Sequence, residues 1–101
     1  MRDDDILTGV LLEEACLTLE ELAGVCSVAP EWVRLHVEEG LLSNQDSGGE
    51  WRFSRRELWR ARHIHRLERD FDAAPELAAL VADLLEELDS LRARLRRASP
   101  R

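Results

Sequence analysis

The stretch from Thr18 to Leu42, TLEELAGVCSVAPEWVRLHVEEGLL, constrains the fold more than any other part of the chain. Thr18 and Glu21 have the S/T-x-x-E spacing of a capping box, in which each side chain satisfies the other residue's backbone N–H at a helix start. Leu19, Leu22, Ala23 and Cys26 follow at i, i+3, i+4 and i+7, so the helix they predict has one apolar side. Pro30 suits the first position of a second helix, where its missing N–H costs nothing, and Gly40 suits the left-handed residue that closes one. Two short amphipathic helices around a tight turn predict a helix-turn-helix.

The flanking segments complete a mainly α fold. Residues 1–5 read as a disordered acidic tip. The segment from Ile6 to Leu17 reads as a short strand, with half a helix as the alternative. A polar Gly-rich turn, residues 43–50, separates Leu41-Leu42 from Trp51-Arg52-Phe53, and Trp51 and Phe53 share one face of a strand; this predicts a small β-hairpin, the wing of a winged helix. Ser54 and Glu57 repeat the capping-box spacing, and Leu58, Ala61, Ile64 or His65, Leu67 and Phe71 predict a third helix with an apolar side. Its other faces carry Arg55, Arg56, Arg60, Arg62, Arg66 and Arg69. Pro75 ends that helix, because proline disfavours α geometry in the residue before it.

From there Leu77, Val81, Leu84, Leu88, Leu91 and Leu95 are spaced 4, 3, 4, 3, 4, the alternation of a coiled-coil seam. Leu80 and Leu85 widen the stripe. A helix over 75–97 is roughly 35 Å long at 1.5 Å per residue, more than a small winged domain over 6–71 covers. A homodimer is therefore expected, with these six residues as its interface.

With 101 residues, 45% hydrophobic and 35% charged, the chain suffices for one small core and an extension. The net charge of -7 is unevenly placed: residues 1–50 hold twelve Asp/Glu and two Arg, a net of -10, and residues 51–101 hold nine and twelve, a net of +3. The helix-turn-helix thus lies in the acidic half, although duplex DNA binding rests on neutralising phosphates with Lys and Arg. Cys16 and Cys26 are too few for a disulfide framework and read as reduced core thiols. No apolar run approaches the ~20 residues that span a bilayer, and the acidic opening does not resemble a secretory signal, so a cytoplasmic protein is expected. His63 and His65 are two apart on a helix and point to different sides, and His36 reads as a partly buried neighbour of Trp32 and Gly40. No Cys/His cluster, nucleophile elbow, phosphate loop or inward carboxylate pair supports catalysis, so no enzyme, cofactor or metal is expected.

With these elements placed, the sequence resembles the MerR-type winged helices. The resemblance is carried by Val28-Ala29-Pro30 opening the second helix, Arg34 within it, Glu39-Gly40-Leu41-Leu42 closing it, and the aromatic-x-aromatic-Ser run from Trp51 to Ser54. Arg66-Leu67-Glu68-Arg69-Asp70, Leu84-Leu85-Glu86-Glu87-Leu88 and Leu91-Arg92-Ala93-Arg94-Leu95 narrow it to the bacterial chaperone-modulator family. That resemblance implies a MerR-like domain that binds the J-domain of a DnaJ-type, curved-DNA-binding co-chaperone, inhibiting both its stimulation of Hsp70 and its DNA binding. Ser27 stands where MerR-like turns usually place Gly, and the link from Phe71 to Pro75 lacks the commoner Gly or Asn.

A J-domain docks on Hsp70 through a basic helix, so its inhibitor should offer acid. Glu20, Glu21, Glu31, Glu38, Glu39, Asp46 and Glu50 are the candidate partner-binding acids, with Trp32 and Leu35 as apolar anchors. For the third helix, the preferred expectation is that its arginines pair with acids of the first half or of a dimer partner. The alternative function is a MerR-type DNA-binding transcriptional regulator, with Arg34, Arg52, Arg55 and Arg56 as phosphate or base contacts. Arg34 is the one base on the second helix, and Glu31 beside it would face phosphate, which disfavours nucleic acid as the partner. A small-ligand sensor is disfavoured because no effector domain follows the last helix.

Overall fold

A computed structural model describes residues 14–98. The expected acidic tip, and most of the segment read as a first strand, lie outside the described residues. Strand β1 (Ala15–Thr18) leads directly into helix α1 (Leu19–Cys26), and a turn into helix α2 (Pro30–Glu38). Strands β2 (Gln45–Ser47) and β3 (Glu50–Ser54) form the hairpin, and helices α3 (Arg55–Phe71) and α4 (Pro75–Ala98) complete the chain. The fold is the expected one: mainly helical, with a winged helix-turn-helix and a long C-terminal helix.

Local chemistry explains most boundaries. At the start of α1 the Glu21 N–H donates to Thr18 Oγ1 at 3.0 Å, and the Thr18 N–H donates to Glu21 Oε1 at 2.9 Å, completing the capping box. α1 ends at Ser27, held in the left-handed region at φ 59°, with the Val28 N–H reaching back to the Ala23 carbonyl at 3.0 Å. A non-glycine residue there carries strain of about 1 kcal/mol. Pro30 is the first residue of α2, and Gly40, at φ 80°, lets the Leu41 N–H close onto the His36 carbonyl at 2.8 Å. In the wing, Gly48 and Gly49 both have positive φ, 61° and 84°, as a two-residue hairpin turn matched to strand twist demands.

The sheet order is β1-β3-β2, all antiparallel. Ala15 lies opposite Ser54 and Leu17 opposite Phe53, so the register slips by one at Cys16. That bulge explains a correction: Cys16 is not a core thiol but exposed, while Cys26 is buried.

The core gathers Leu19, Leu22, Ala23 and Cys26 of α1 with Val33, Leu42, Phe53, Ala61 and Ile64, and α4 closes it with Ala78, Ala79 and Ala82. Phe53, Leu22, Ile64 and Val33 are the largest fully buried side chains. Phe71, expected on the apolar side of α3, is instead 73% exposed, because the helix has run past the core by its last residue. α4 is two-faced. Its alanines let it lie close against α3, while Leu77, Leu80, Leu84, Leu88, Leu91 and Leu95 stay exposed. Val81, expected in the seam, is instead half-buried, as is Leu85, because both turn toward the α3 side of the helix, and Leu80 completes the exposed stripe in its place. Among the described residues no helix is long and apolar enough to cross a membrane.

Candidate functional site

The surface built by α1, α2 and the wing is held from beneath by one polar cluster. His36, on the inner side of α2, is only 2% exposed. Its Nδ1 donates to the Trp32 carbonyl at 2.7 Å, and its Nε2 meets Glu68 Oε2 of α3, also at 2.7 Å. The carbonyl fixes Nδ1 as a donor, and the Nε2 contact with the Glu68 carboxylate is the ring's second hydrogen bond. The second carboxylate oxygen, Oε1, accepts the Trp32 indole N–H at 3.0 Å, and the Trp32 and His36 rings stack with centroids 3.8 Å apart. Glu68 therefore fastens α2 to α3 through two polar groups, the His36 imidazole and the Trp32 indole N–H. His36 is fully rather than partly buried, and Trp32 is committed to this cluster instead of projecting outward.

On the outer side, every candidate acid is exposed: Glu20, Glu21, Glu31, Glu38, Glu39, Asp46 and Glu50. Glu20 and Glu21 occupy the first turn of α1, and Glu31 the first turn of α2, where the partial positive charge of a helix start favours carboxylates. Glu38 and Glu39 sit at the end of α2, where that field opposes them. Leu35 of α2 is 49% exposed among these acids and provides the apolar element that Trp32 does not.

The bases of this surface are already engaged. The Arg34 guanidinium lies over the Trp51 ring, 5.6 Å from its centroid, within cation–π range. Arg52 Nη2 donates to Glu50 Oε1 at 3.1 Å. Glu20, Arg34, Glu50 and Trp51 thereby meet around a shallow cleft of about 240 Å³ between α1 and the wing. Asp46 lies across the hairpin from Trp51. The remaining acids are spread along α1 and α2 and are not gathered into one cavity.

The arginines of α3 divide by face. Arg60 donates through Nε to the Leu41 carbonyl at 2.8 Å and pairs with Asp83, and Arg56 lies 4.0 Å from Glu86. These acids belong to α4 of the same chain, which corrects the expectation of partners in the first half. Arg55 is exposed. Glu57 also departs from the capping-box expectation. The Ser54 hydroxyl accepts the Glu57 N–H at 3.2 Å, but the Glu57 carboxylate turns away to accept the Ser43 N–H at 2.8 Å. It thereby ties the start of the wing to α3, and burial pushes its pKa above the usual carboxylate value.

Burial likewise raises the Cys26 thiol pKa, against a smaller opposing effect of Arg62, so Cys26 is an unreactive core thiol. Among the described residues no group of three or more His, Cys, Asp or Glu is placed to hold a metal ion. Sequence reasoning missed Glu68: it lies 32 residues beyond His36, and no local spacing connects the two.

The fold agrees with the comparison to known families, in which the family model described as "MerR HTH family regulatory protein" matches residues 17–99. No curated protein and no solved structure matches the chain. The matched region covers the whole helix-turn-helix, the wing, α3 and all of α4, and the chain belongs to the MerR helix-turn-helix family of regulatory proteins.

Proposed function

We propose that this chain is a chaperone modulator, a homodimer that binds the J-domain of a DnaJ-type co-chaperone and inhibits both its stimulation of Hsp70 and its DNA binding. One observation carries the proposal: the reading surface of a DNA-binding fold is acidic, and its Arg34 and Arg52 are already engaged with Trp51 and Glu50. Glu38 and Glu39 add weight, since helix stability alone would place bases at the end of α2. Leu35 serves as the apolar anchor, and the surrounding acids steer encounter with a basic partner. The exposed leucine stripe of α4 supports the dimer: six large apolar side chains in a row are costly to leave in water and suit a second copy of the same helix.

Calorimetric titration of the full chain with the cognate J-domain tests the proposal. Binding that tightens as salt is lowered, and that Leu35→Ala weakens, is the expected result. No heat of binding at tens of micromolar, a concentration that reveals affinities near -6 to -7 kcal/mol, rejects it. The second reading, a DNA-binding regulator of MerR type, draws on the intact wing and the exposed Arg55. Gel retardation of genomic fragments at low salt supports that reading; unretarded DNA removes it.

A further inference from the structure

The acids of α1 lie at its start. At its other end, Val25, Cys26 and Ser27 face α3 across a separate cleft of about 510 Å³, a volume in the range of ligand-binding clefts. The α3 wall consists of Trp59, Arg62, Arg66 and Arg69, at i, i+3, i+7 and i+10 along one helix face, with His63 and His65 on its two flanks.

In a chain holding 21 Asp and Glu, no carboxylate among the described residues lines this cleft. Two of the three acids of α3 are committed elsewhere, Glu57 to the Ser43 N–H and Glu68 to His36 and Trp32, while Asp70 neutralises the wall residue Arg69, accepting from its Nε at 2.9 Å. Among the described residues neither Arg62 nor Arg66 is in a close ion pair; Arg66 donates to the His63 ring at 3.2 Å and lies within the electrostatic reach of Asp70. The contrast with Arg56 and Arg60, both paired with α4, is one of helix face. Beside these two guanidinium groups stand two exposed apolar surfaces. Trp59 is 55% exposed, set edge-on to His63 with centroids 6.1 Å apart, and Val25 is 52% exposed.

We propose that this cleft docks an acidic peptide segment of a protein partner, with one large apolar side chain against Trp59 and Val25 and flanking carboxylates on Arg62 and Arg66. Guanidinium groups recognise carboxylates in bidentate fashion, and an indole face gives an apolar side chain a rigid surface. A nucleic-acid strand also presents anions and flat rings, but charge-driven binding of a strand uses a longer run of phosphate contacts than these two arginines offer. A chain of net charge -7 also repels a long polyanion more than it repels a short peptide. The proposal does not depend on the J-domain reading, which uses other residues.

The test is an NMR titration of the full isotope-labelled chain with a short peptide of Asp and Glu carrying one central leucine. Expected are shifts of the Trp59 indole N–H and of the Arg62 and Arg66 Nε–H signals, with the Trp32 and Trp51 indoles unmoved. Replacing the leucine by glycine should weaken binding by roughly fivefold or more, as loss of a partly buried apolar side chain implies. Arg62→Glu combined with Arg66→Glu should weaken it at least about tenfold with an unchanged circular dichroism spectrum, since two charge-assisted contacts are lost. If that variant loses helicity, Arg62→Gln with Arg66→Gln replaces it, and the same tenfold criterion applies. A silent Trp59 signal, equal affinity in the folded variant, or displacement of the peptide by oligothymidylate overturns the proposal, the last in favour of nucleic acid.

Discussion

Glu68 and Glu57 show how a single carboxylate can join elements that the chain keeps far apart. Glu68 accepts from the Trp32 indole and is hydrogen-bonded to the His36 ring. Glu68→Ala leaves a buried imidazole nitrogen and an indole N–H without a partner, and should cost about 3 kcal/mol, as removal of one member of a buried pair does. Urea unfolding measures this, and a loss under about 1 kcal/mol would mean that the cluster does not fasten α2 to α3. Glu57 carries a pH signature. Its carboxyl is harder to ionise folded than unfolded, because burial outweighs the Ser43 N–H and the nearby Arg60. The sign follows: the neutral form is favoured by folding, so this group's contribution is complete below the ordinary carboxylate value of 4.5 and is lost as pH rises through the raised folded value. Glu57→Gln keeps an acceptor for Ser43 and cannot ionise. The stability difference between variant and parent should therefore move in the variant's favour as pH climbs from 4.5 toward neutrality. A difference flat with pH refutes the assignment.

At the scale of elements, short helices depend on their ends. α1 has only eight residues, and both halves of its capping box are made. Thr18→Ala should cost about 1 kcal/mol and raise amide exchange first in α1, a pattern that hydrogen exchange read by NMR resolves. Unchanged protection of α1 would show that core packing through Leu19, Leu22 and Cys26 holds it unaided. The signals at Thr18, Pro30 and Gly40 are legible in sequence because each acts within one helical turn of its own position. Ser54 is half legible: its hydroxyl caps α3 as the spacing implies, but Glu57 finds Ser43 within reach and leaves the box open. The bulge at Cys16 was not legible, since it depends on the register of β1 against β3 across more than thirty residues.

For the whole molecule, the decisive feature is that α4 serves two surfaces at once. Alanines on one side allow close packing on α3, and leucines on the other remain without cover in the single chain. Because Leu84 is 59% exposed, Leu84→Asp should leave helicity intact while abolishing self-association. Sedimentation equilibrium at tens of micromolar is the check, a range that detects a modest dimer. A dimer that survives the substitution, or a parent chain that is already monomeric there, removes the stripe as the interface. The charge division of the sequence also acquires a geometry at this scale. Acids cover α1, α2 and the wing, while the arginines of α3 other than the exposed Arg55 separate into those bound to α4 and those facing the cleft near Ser27.

The sequence by itself determined the helix-turn-helix, the wing and the long last helix, because caps, turn glycines and hydrophobic periodicity act over a few neighbouring residues. It also determined the acidity of the first half, which is a matter of counting. Only the tertiary structure decided which of these residues are available. It turned Trp32 inward onto Glu68, laid Arg34 on Trp51, gave Arg56 and Arg60 to α4, and left Arg62, Arg66 and Leu35 accessible. The physical reason is the same throughout: side-chain availability depends on partners distant in the chain, and no local pattern encodes where those partners come to rest.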